Sequence, residues 1–183
     1  MNSDAPLVAT PALLTKRVDE LVRYYRQVHV ERMQGIPILN AALSVEAVGF
    51  EWAPSDQNTT APVMPVAQGV LITPWFMSLV RVPAAVEPNG GRVGCSFLRA
   101  FGRERFAFIG AYDDELGYHE SCALFSPMHE FASQEVARQT AQGVLDLIEP
   151  VAQDTPAAPR AEPIPGRRAF LLGRFHAGGA ERV

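Results

Sequence analysis

The residues best suited to chemistry are a histidine and a cysteine three positions apart, His119 and Cys122. A thiol beside an imidazole is the pairing that activates a cysteine nucleophile. The surrounding sequence predicts a β-strand, however, and residues three apart on a strand point to opposite faces of the sheet. Cys122 shares its predicted face with Leu124 and should pack inward as a small apolar side chain. The spacing therefore argues against a catalytic pair.

Metal-binding and acid–base patterns are equally weak. No pair of histidines has a spacing typical of metal ligands. The four histidines are His29, His119, His129 and His176. The adjacent acids of DDELG, residues 113–117, have the composition of a turn, in which aspartate accepts backbone hydrogen bonds. Walker A, GxGxxG, GxSxG and HExxH motifs are all absent from the sequence. We therefore predict no enzymatic activity, no cofactor and no bound metal.

The composition is that of an ordinary globular protein with an acidic balance. The 183 residues suffice for one domain with its own core, and 48% of them are hydrophobic and 20% charged. A formal net charge of −4 argues against a nucleic-acid binder, which normally presents a basic face. Two cysteines cannot build a disulfide framework, so we expect a reducing, cytoplasmic compartment. We expect neither an export signal nor membrane insertion, because no apolar stretch is long enough.

Two amphipathic helices are predicted near the two ends of the folded part. Apolar residues spaced by three and four predict a helix over about residues 11–33, with Thr10 as its N-cap and Pro11 in its first turn. Ser133 is placed to cap a second helix, which Pro150 ends.

Strands are predicted between the helices. Alternating apolar residues indicate strands at 44–52 and 69–73, and a β-hairpin over 105–126. Sequential antiparallel strands flanked by helices predict an α+β fold. It is a single domain in which a mainly antiparallel β-sheet packs against an N-terminal and a C-terminal helix.

The chain is expected to divide into three parts. Residues 1–149 form the globular α+β domain. Residues 150–165 carry five prolines and no apolar periodicity, which predicts a flexible linker. Residues 166–183 form a short apolar and basic tail, with a docking segment at 166–175.

The most apolar stretch is GVLITPWFMSLV, residues 69–80. Thr73 and Pro74 either begin a short helical turn or kink the chain between two strands. In both cases the chain changes direction beside Trp75, Phe76 and Met77. Tryptophan and methionine are favoured in protein interfaces. We predict that residues 73–77 contact a partner protein, the alternative being that all three large side chains lie in the core.

Two further segments are predicted to take part in partner binding. Ser126, Pro127 and Met128 follow the last strand, where proline ends the ladder and leaves Met128 near the first segment. In the tail, arginines flank an apolar centre that can dock as an added strand, on its own sheet or on a partner. These arginines are Arg167, Arg168 and Arg174.

The segments GVLITPWFMSLV, ESCALFSPM and GRRAFLLGR resemble the marker segments of the HybE/HupJ/HoxT family, accessory proteins for assembly of NiFe-hydrogenases. The resemblance covers residues 12–174. It implies a cytoplasmic, non-catalytic chaperone that holds an immature hydrogenase subunit. The client is either the small iron–sulfur subunit with its twin-arginine signal or the large nickel-bearing subunit. Some relatives work beside a rubredoxin-type protein, which this chain cannot itself be, since it has no paired CxxC elements.

Three modes of action follow. In the first, the apolar patch of Trp75, Phe76, Met77 and Met128 shields the client. In the second, the protein is a small redox or metal-delivery protein that uses Cys95, His119 and Cys122. In the third, it is a scaffold for other accessory proteins.

Overall fold

The computed structural model describes residues 7–54 and 64–148 of the chain. This part contains two helices and six strands. In chain order they are α1 (Pro11–Arg32), β1 (Glu46–Trp52), β2 (Val66–Ile72), β3 (Met77–Pro83), β4 (Ser96–Phe101), β5 (Glu104–Asp113), β6 (Gly117–Phe125) and α2 (Gln134–Ile148).

The six strands form one antiparallel sheet in the order β1-β2-β3-β6-β5-β4. The α+β fold predicted from the sequence is confirmed, and β5 and β6 form the predicted hairpin. Strand β4, which the sequence analysis did not predict, forms one edge of the sheet.

Both helices start at the caps that the sequence indicated. Thr10 Oγ1 accepts a hydrogen bond from the backbone N–H of Leu13 at 3.2 Å. Ser133 Oγ accepts one from Val136 N–H at 3.3 Å. Each bond satisfies a donor that the first helical turn would otherwise leave unpaired. Neither helix in the described part of the chain is both long and apolar enough to cross a bilayer.

The helices cover opposite faces of the sheet. Leu21 of α1 packs with Leu71 and Val80 in one apolar cluster. Leu145 of α2 belongs to a second cluster that includes Val70 and Leu79. Successive residues on a strand point to opposite faces, so β2 and β3 contribute to both cores at once. These two strands are therefore the centre of the fold.

The sheet is strongly curved toward α2. Arg81 Nη1 on β3 donates a hydrogen bond to the carbonyl of Ala100 on β4 at 3.2 Å. In a flat sheet these strands would lie three spacings of about 4.8 Å apart, beyond the reach of an arginine side chain. The β4 edge therefore curls back toward β3 on the α2 face.

A buried arginine fastens α1 to the sheet. The Arg17 side chain is 2% exposed. Its Nε donates to the carbonyl of Pro83 at 2.8 Å, and its Nη2 donates to the carbonyl of Leu116 at 3.1 Å. Glu20, one helical turn on, accepts from Nη1 at 2.5 Å. The guanidinium is thus paired on all sides, as a buried charge requires.

Replacing this guanidinium should destabilise the fold. Arg17→Met keeps most of the apolar stem but leaves two carbonyls without their donor, so we expect the free energy of unfolding to fall by about 2–4 kcal/mol. Urea denaturation followed by circular dichroism measures the change. The matched control is Lys16→Met on the neighbouring, exposed side chain, which should cost less than about 0.5 kcal/mol. Equal losses in the two variants would contradict this role of Arg17.

Candidate partner-binding surface

The chain reverses direction between β2 and β3 in a tight turn closed by Thr73. The Thr73 N–H donates to the carbonyl of Phe76 at 2.8 Å. Its Oγ1 accepts from the backbone N–H groups of Trp75, at 3.3 Å, and Phe76, at 2.9 Å. Of the two possibilities left open at Pro74, the kink between strands is therefore correct, and the short helical turn is wrong.

Trp75 and Phe76 lie at this turn with their rings half-buried. The centroid of the Trp75 ring is 6.5 Å from that of Tyr25 and 5.8 Å from that of His29, both on α1. Phe76 meets Tyr25 edge to face at 5.6 Å. Helix α1 therefore supports one side of each ring. Phe76 also packs against the core beneath α1, and part of each residue remains exposed.

Met77 and Met128 occupy a different environment from the one predicted. Both side chains are 0% exposed and belong to the apolar core beneath α2. Met77 begins β3, whose alternation turns its side chain toward that core. The prediction that these two methionines form an exposed patch is therefore wrong, and for Met77 the core alternative is correct.

The two partner-binding segments predicted in the described part of the chain meet at this end of the sheet. Ser126 and Pro127 follow β6 and are exposed. Ser126 Oγ donates to the carbonyl of Trp75 at 3.3 Å. Phe125, paired with Met77 across the strands, is 36% exposed. Trp75, Phe76, Phe125, Ser126 and Pro127 are called the Trp75 surface below.

Asn40, which the sequence analysis missed, holds this end together. Its backbone N–H donates to the carbonyl of Pro74 at 2.9 Å. Its Nδ2 donates to the carbonyls of Met128, at 2.9 Å, and Phe131, at 2.7 Å. Asparagine in a short loop indicates a turn, but the sequence carries no signal for bonds to residues so distant along the chain.

The histidine and cysteine of β6 do not form a pair. His119 lies against α1, with its Nε2 3.3 Å from the Tyr25 hydroxyl and its Nδ1 3.1 Å from the carbonyl of Gly117. Cys122 packs on the opposite face, against the core beneath α2, as the strand spacing predicted. Burial lowers the pKa of His119 and raises the pKa of the Cys122 thiol.

The two cysteines differ in environment. Cys122 is half-buried, and a thiol whose pKa is raised is a poor nucleophile, whereas Cys95 is exposed on a loop. Within residues 7–54 and 64–148, no three ligating side chains come close enough to share a metal ion.

The tail arginines Arg167, Arg168 and Arg174 lie outside the described residues. So do the predicted linker, 150–165, and the docking segment, 166–175. Their roles stay predictions.

Comparisons with known proteins agree on one family. Residues 16–173 match the family described as "[NiFe]-hydrogenase assembly, chaperone, HybE". The chain is 41% identical to Protein HoxT of Cupriavidus necator over 164 residues, covering 86% of this chain and 89% of HoxT. It is 34% identical to the hydrogenase expression/formation protein HupJ of Bradyrhizobium diazoefficiens, covering 94% of this chain and 92% of HupJ.

The fold also resembles a solved one. The solution structure of HybE from Escherichia coli matches with a TM-score of 0.51 and 21% identity, covering 88% of this chain and 91% of that one. This likeness supports the architecture alone.

Removing the Asn40 carboxamide should loosen this end of the molecule. Asn40→Ala leaves the carbonyls of Met128 and Phe131 without their donor, and we expect about 1–3 kcal/mol of destabilisation in urea denaturation. Asn40→Asp is the sharper test, because at neutral pH it places a carboxylate against the same two carbonyls. It should be at least as destabilising as alanine, and part of the loss should be recovered when acid protonates the aspartate. An aspartate variant as stable as wild type at neutral pH would contradict this arrangement.

Proposed function

The chain belongs to the HybE family of NiFe-hydrogenase assembly chaperones, and we propose that it binds an immature hydrogenase subunit through the Trp75 surface. The client is a precursor of the small or the large subunit, held in the cytoplasm until it assembles. The chaperone does no chemistry on it. Subunits that await a metal centre or a partner expose apolar surface, and a complementary apolar surface can cover it reversibly.

The observation that carries this proposal is the position of Trp75. It is a large apolar side chain that remains partly exposed on a turn whose backbone is fixed by Thr73. Its ring is already braced by Tyr25 and His29, so little side-chain entropy remains to be lost on binding. Tryptophan is among the residue types most enriched at interface hot spots.

Release follows from competition in this mechanism. The sequence contains no Walker A or GxGxxG motif, so we assign no nucleotide-driven step. The completed subunit binds its own partner more tightly than it binds the chaperone, and mass action then frees the Trp75 surface. A rubredoxin-type protein remains a predicted second partner.

Truncating the indole should weaken client capture. Trp75→Ala removes the central anchor without touching the backbone bonds of the turn, and we expect the affinity for the client to fall at least about tenfold, because interface tryptophans commonly contribute about 2 kcal/mol or more. The measurement is affinity purification from cells that are making hydrogenase. Mass spectrometry quantifies each retained subunit and reports which one is the client.

The matched control for Trp75→Ala is Leu147→Ala. Leu147 is an apolar side chain 68% exposed on α2, on the other side of the sheet. Its replacement should leave the capture of the client unchanged. The control thus distinguishes loss of a specific binding surface from a general loss of exposed apolar area. If folded Trp75→Ala protein retains the same amount of subunit as Leu147→Ala, the Trp75 surface is not the binding site.

The redox or metal-delivery alternative requires the cysteines, whereas the proposed function does not. Replacement of both cysteines, Cys95→Ser with Cys122→Ala, should leave hydrogenase maturation in cells near wild type, because Cys122 packs against the core beneath α2 and no three potential metal ligands come together in the described ranges. The readout is hydrogenase activity per cell. Lost maturation by a double variant that still folds and still captures the client would favour a thiol or metal function instead.

A further inference from the structure

A cavity of about 720 Å³ opens at the other end of the β2–β3 hairpin. Its walls come from the end of β1, the start of β2 and strand β4, which the curvature of the sheet brings together. Trp52, Val66 and Leu98 supply apolar surface. A volume of this size is in the range that holds a ligand of several residues.

Three arginines are among the residues that line this cavity, Arg81, Arg99 and Arg105. Among the described residues that form its walls there is no carboxylate. The cavity therefore joins apolar walls to an excess of positive charge.

One acidic side chain behind the cavity compensates only part of that charge. Glu120 is 7% exposed in its side chain and accepts from Arg99 Nη2 at 2.6 Å and from Arg99 Nε at 3.0 Å. The Tyr118 hydroxyl also donates to it, at 3.1 Å. One carboxylate thus faces two arginines, Arg99 directly and Arg81 at 3.7 Å.

Arg81 is left incompletely paired. Its Nη1 donates to Gln68 Oε1 at 2.7 Å and to the carbonyl of Ala100. Its Nε is the one buried side-chain polar atom in the described ranges that has no hydrogen-bond partner. Burial lowers the pKa of Arg81, Glu120 offsets part of this effect, and Arg99 adds to it. A second negative group would offset the desolvation of the Arg81 guanidinium and would reduce the repulsion between the arginines.

Arg105 gives the cavity a cation that has no ion-pair partner among the described residues. It is exposed, lies at the cavity wall opposite Ala100 in the β4–β5 register, and forms no ion pair with any residue in 7–54 or 64–148. The nearby Arg103 is not part of the cavity wall and approaches Glu104 at 4.0 Å.

We propose that this arginine cavity binds a carboxylate-bearing segment of the client polypeptide, with an aspartate, glutamate or C-terminal carboxylate paired with Arg105. An adjacent apolar side chain of the segment packs against Trp52 and Val66. Guanidinium groups pair with carboxylates through charge-assisted, often bidentate hydrogen bonds. The identity of the client rests on the proposed function. The preference for an apolar carboxylate rests on the cavity itself.

Carbodiimide cross-linking identifies the bound carboxylate. The sequence contains a single lysine, Lys16, so Arg105→Lys places at the cavity wall an amine that peptide mapping readily distinguishes from Lys16. The carbodiimide activates a nearby carboxyl group, the lysine amine attacks it, and an amide forms as the urea leaves. The reaction is performed on the full-length variant purified with the hydrogenase subunits, and mass spectrometry locates the amide. The matched control is Arg103→Lys, one position before Glu104 and outside the cavity wall.

The expected result is an amide between the amine introduced by Arg105→Lys and a client carboxylate, several-fold more abundant than in the Arg103→Lys control. An amide to a carboxylate of this chain's own residues, or to a second copy of the chain, would overturn the proposal by showing a different occupant. So would equal cross-linking in the two variants. If neither variant retains any hydrogenase subunit, the proposed function fails, and the cavity is then judged by the next experiment.

A peptide titration tests the cavity without a client. The probes are the capped tripeptides acetyl-Leu-Glu-Leu-amide and acetyl-Leu-Gln-Leu-amide, which differ only in the carboxylate. The Trp52 indole N–H, which donates to the carbonyl of Thr10 at 3.1 Å, reports binding in NMR spectra. We expect the glutamate peptide to bind about tenfold more tightly than the glutamine peptide, and Arg105→Gln to remove most of that difference. Equal affinities, or no saturable shift up to about 10 mM peptide, would overturn the proposal.

Discussion

The fold depends on one constraint, which is that the hairpin of β2 and β3 is buried on both faces. Val70 and Leu79 face the core beneath α2, while Leu71 and Val80 face the core beneath α1. A hairpin buried on both faces must be apolar at nearly every position, which accounts for the composition of residues 69–80. Only at the ends of this hairpin can its apolar side chains lie outside the two cores. The turn therefore places Trp75 and Phe76 at the edge of the protein, and the same constraint that makes the stretch so apolar creates the surface that we assign to the client.

Hydrogen bonds from polar side chains then set the relative positions of segments that the two apolar cores do not fix. Arg17 joins α1 to the carbonyls of Pro83 and Leu116, and Asn40 joins the β2–β3 turn to the loop that follows β6. Both bind backbone carbonyls from distant parts of the chain. Hydrophobic burial is not directional, whereas these bonds have defined lengths and angles. Asn40 sets the position of the β2–β3 turn relative to the loop after β6, and Arg17 fastens the helix that supports the Trp75 ring, so the Trp75 surface is formed before any partner arrives.

Local features of the fold could be predicted from the sequence, and features that depend on distant residues could not. The caps at Thr10 and Ser133 and the hairpin of β5 and β6 follow from short-range chemistry, and all are confirmed. The burial of Met77 depends on which face of β3 meets α2, and one residue of register reverses that assignment. The curvature that brings β4 toward Arg81 has no local signature at all. For this reason the arginine cavity could not be predicted from the sequence, since nothing local shows that Arg81, Arg99 and Arg105 come together.

The two proposed contacts lie at opposite ends of the same hairpin, the Trp75 surface beyond Ile72 and the arginine cavity at Val66. Along β2 these ends are roughly 20 Å apart, at about 3.3 Å per residue. A client that reaches both ends is held by two weak contacts, and the second contact forms at a high effective concentration once the first is made. Each contact can be displaced separately. A competing subunit then needs to outbind only one of them at a time, which reconciles secure holding with release that uses no nucleotide. The apolar contact responds little to salt, and the arginine contact responds strongly, so the ionic strength at which a client dissociates distinguishes attachment at one end from attachment at both.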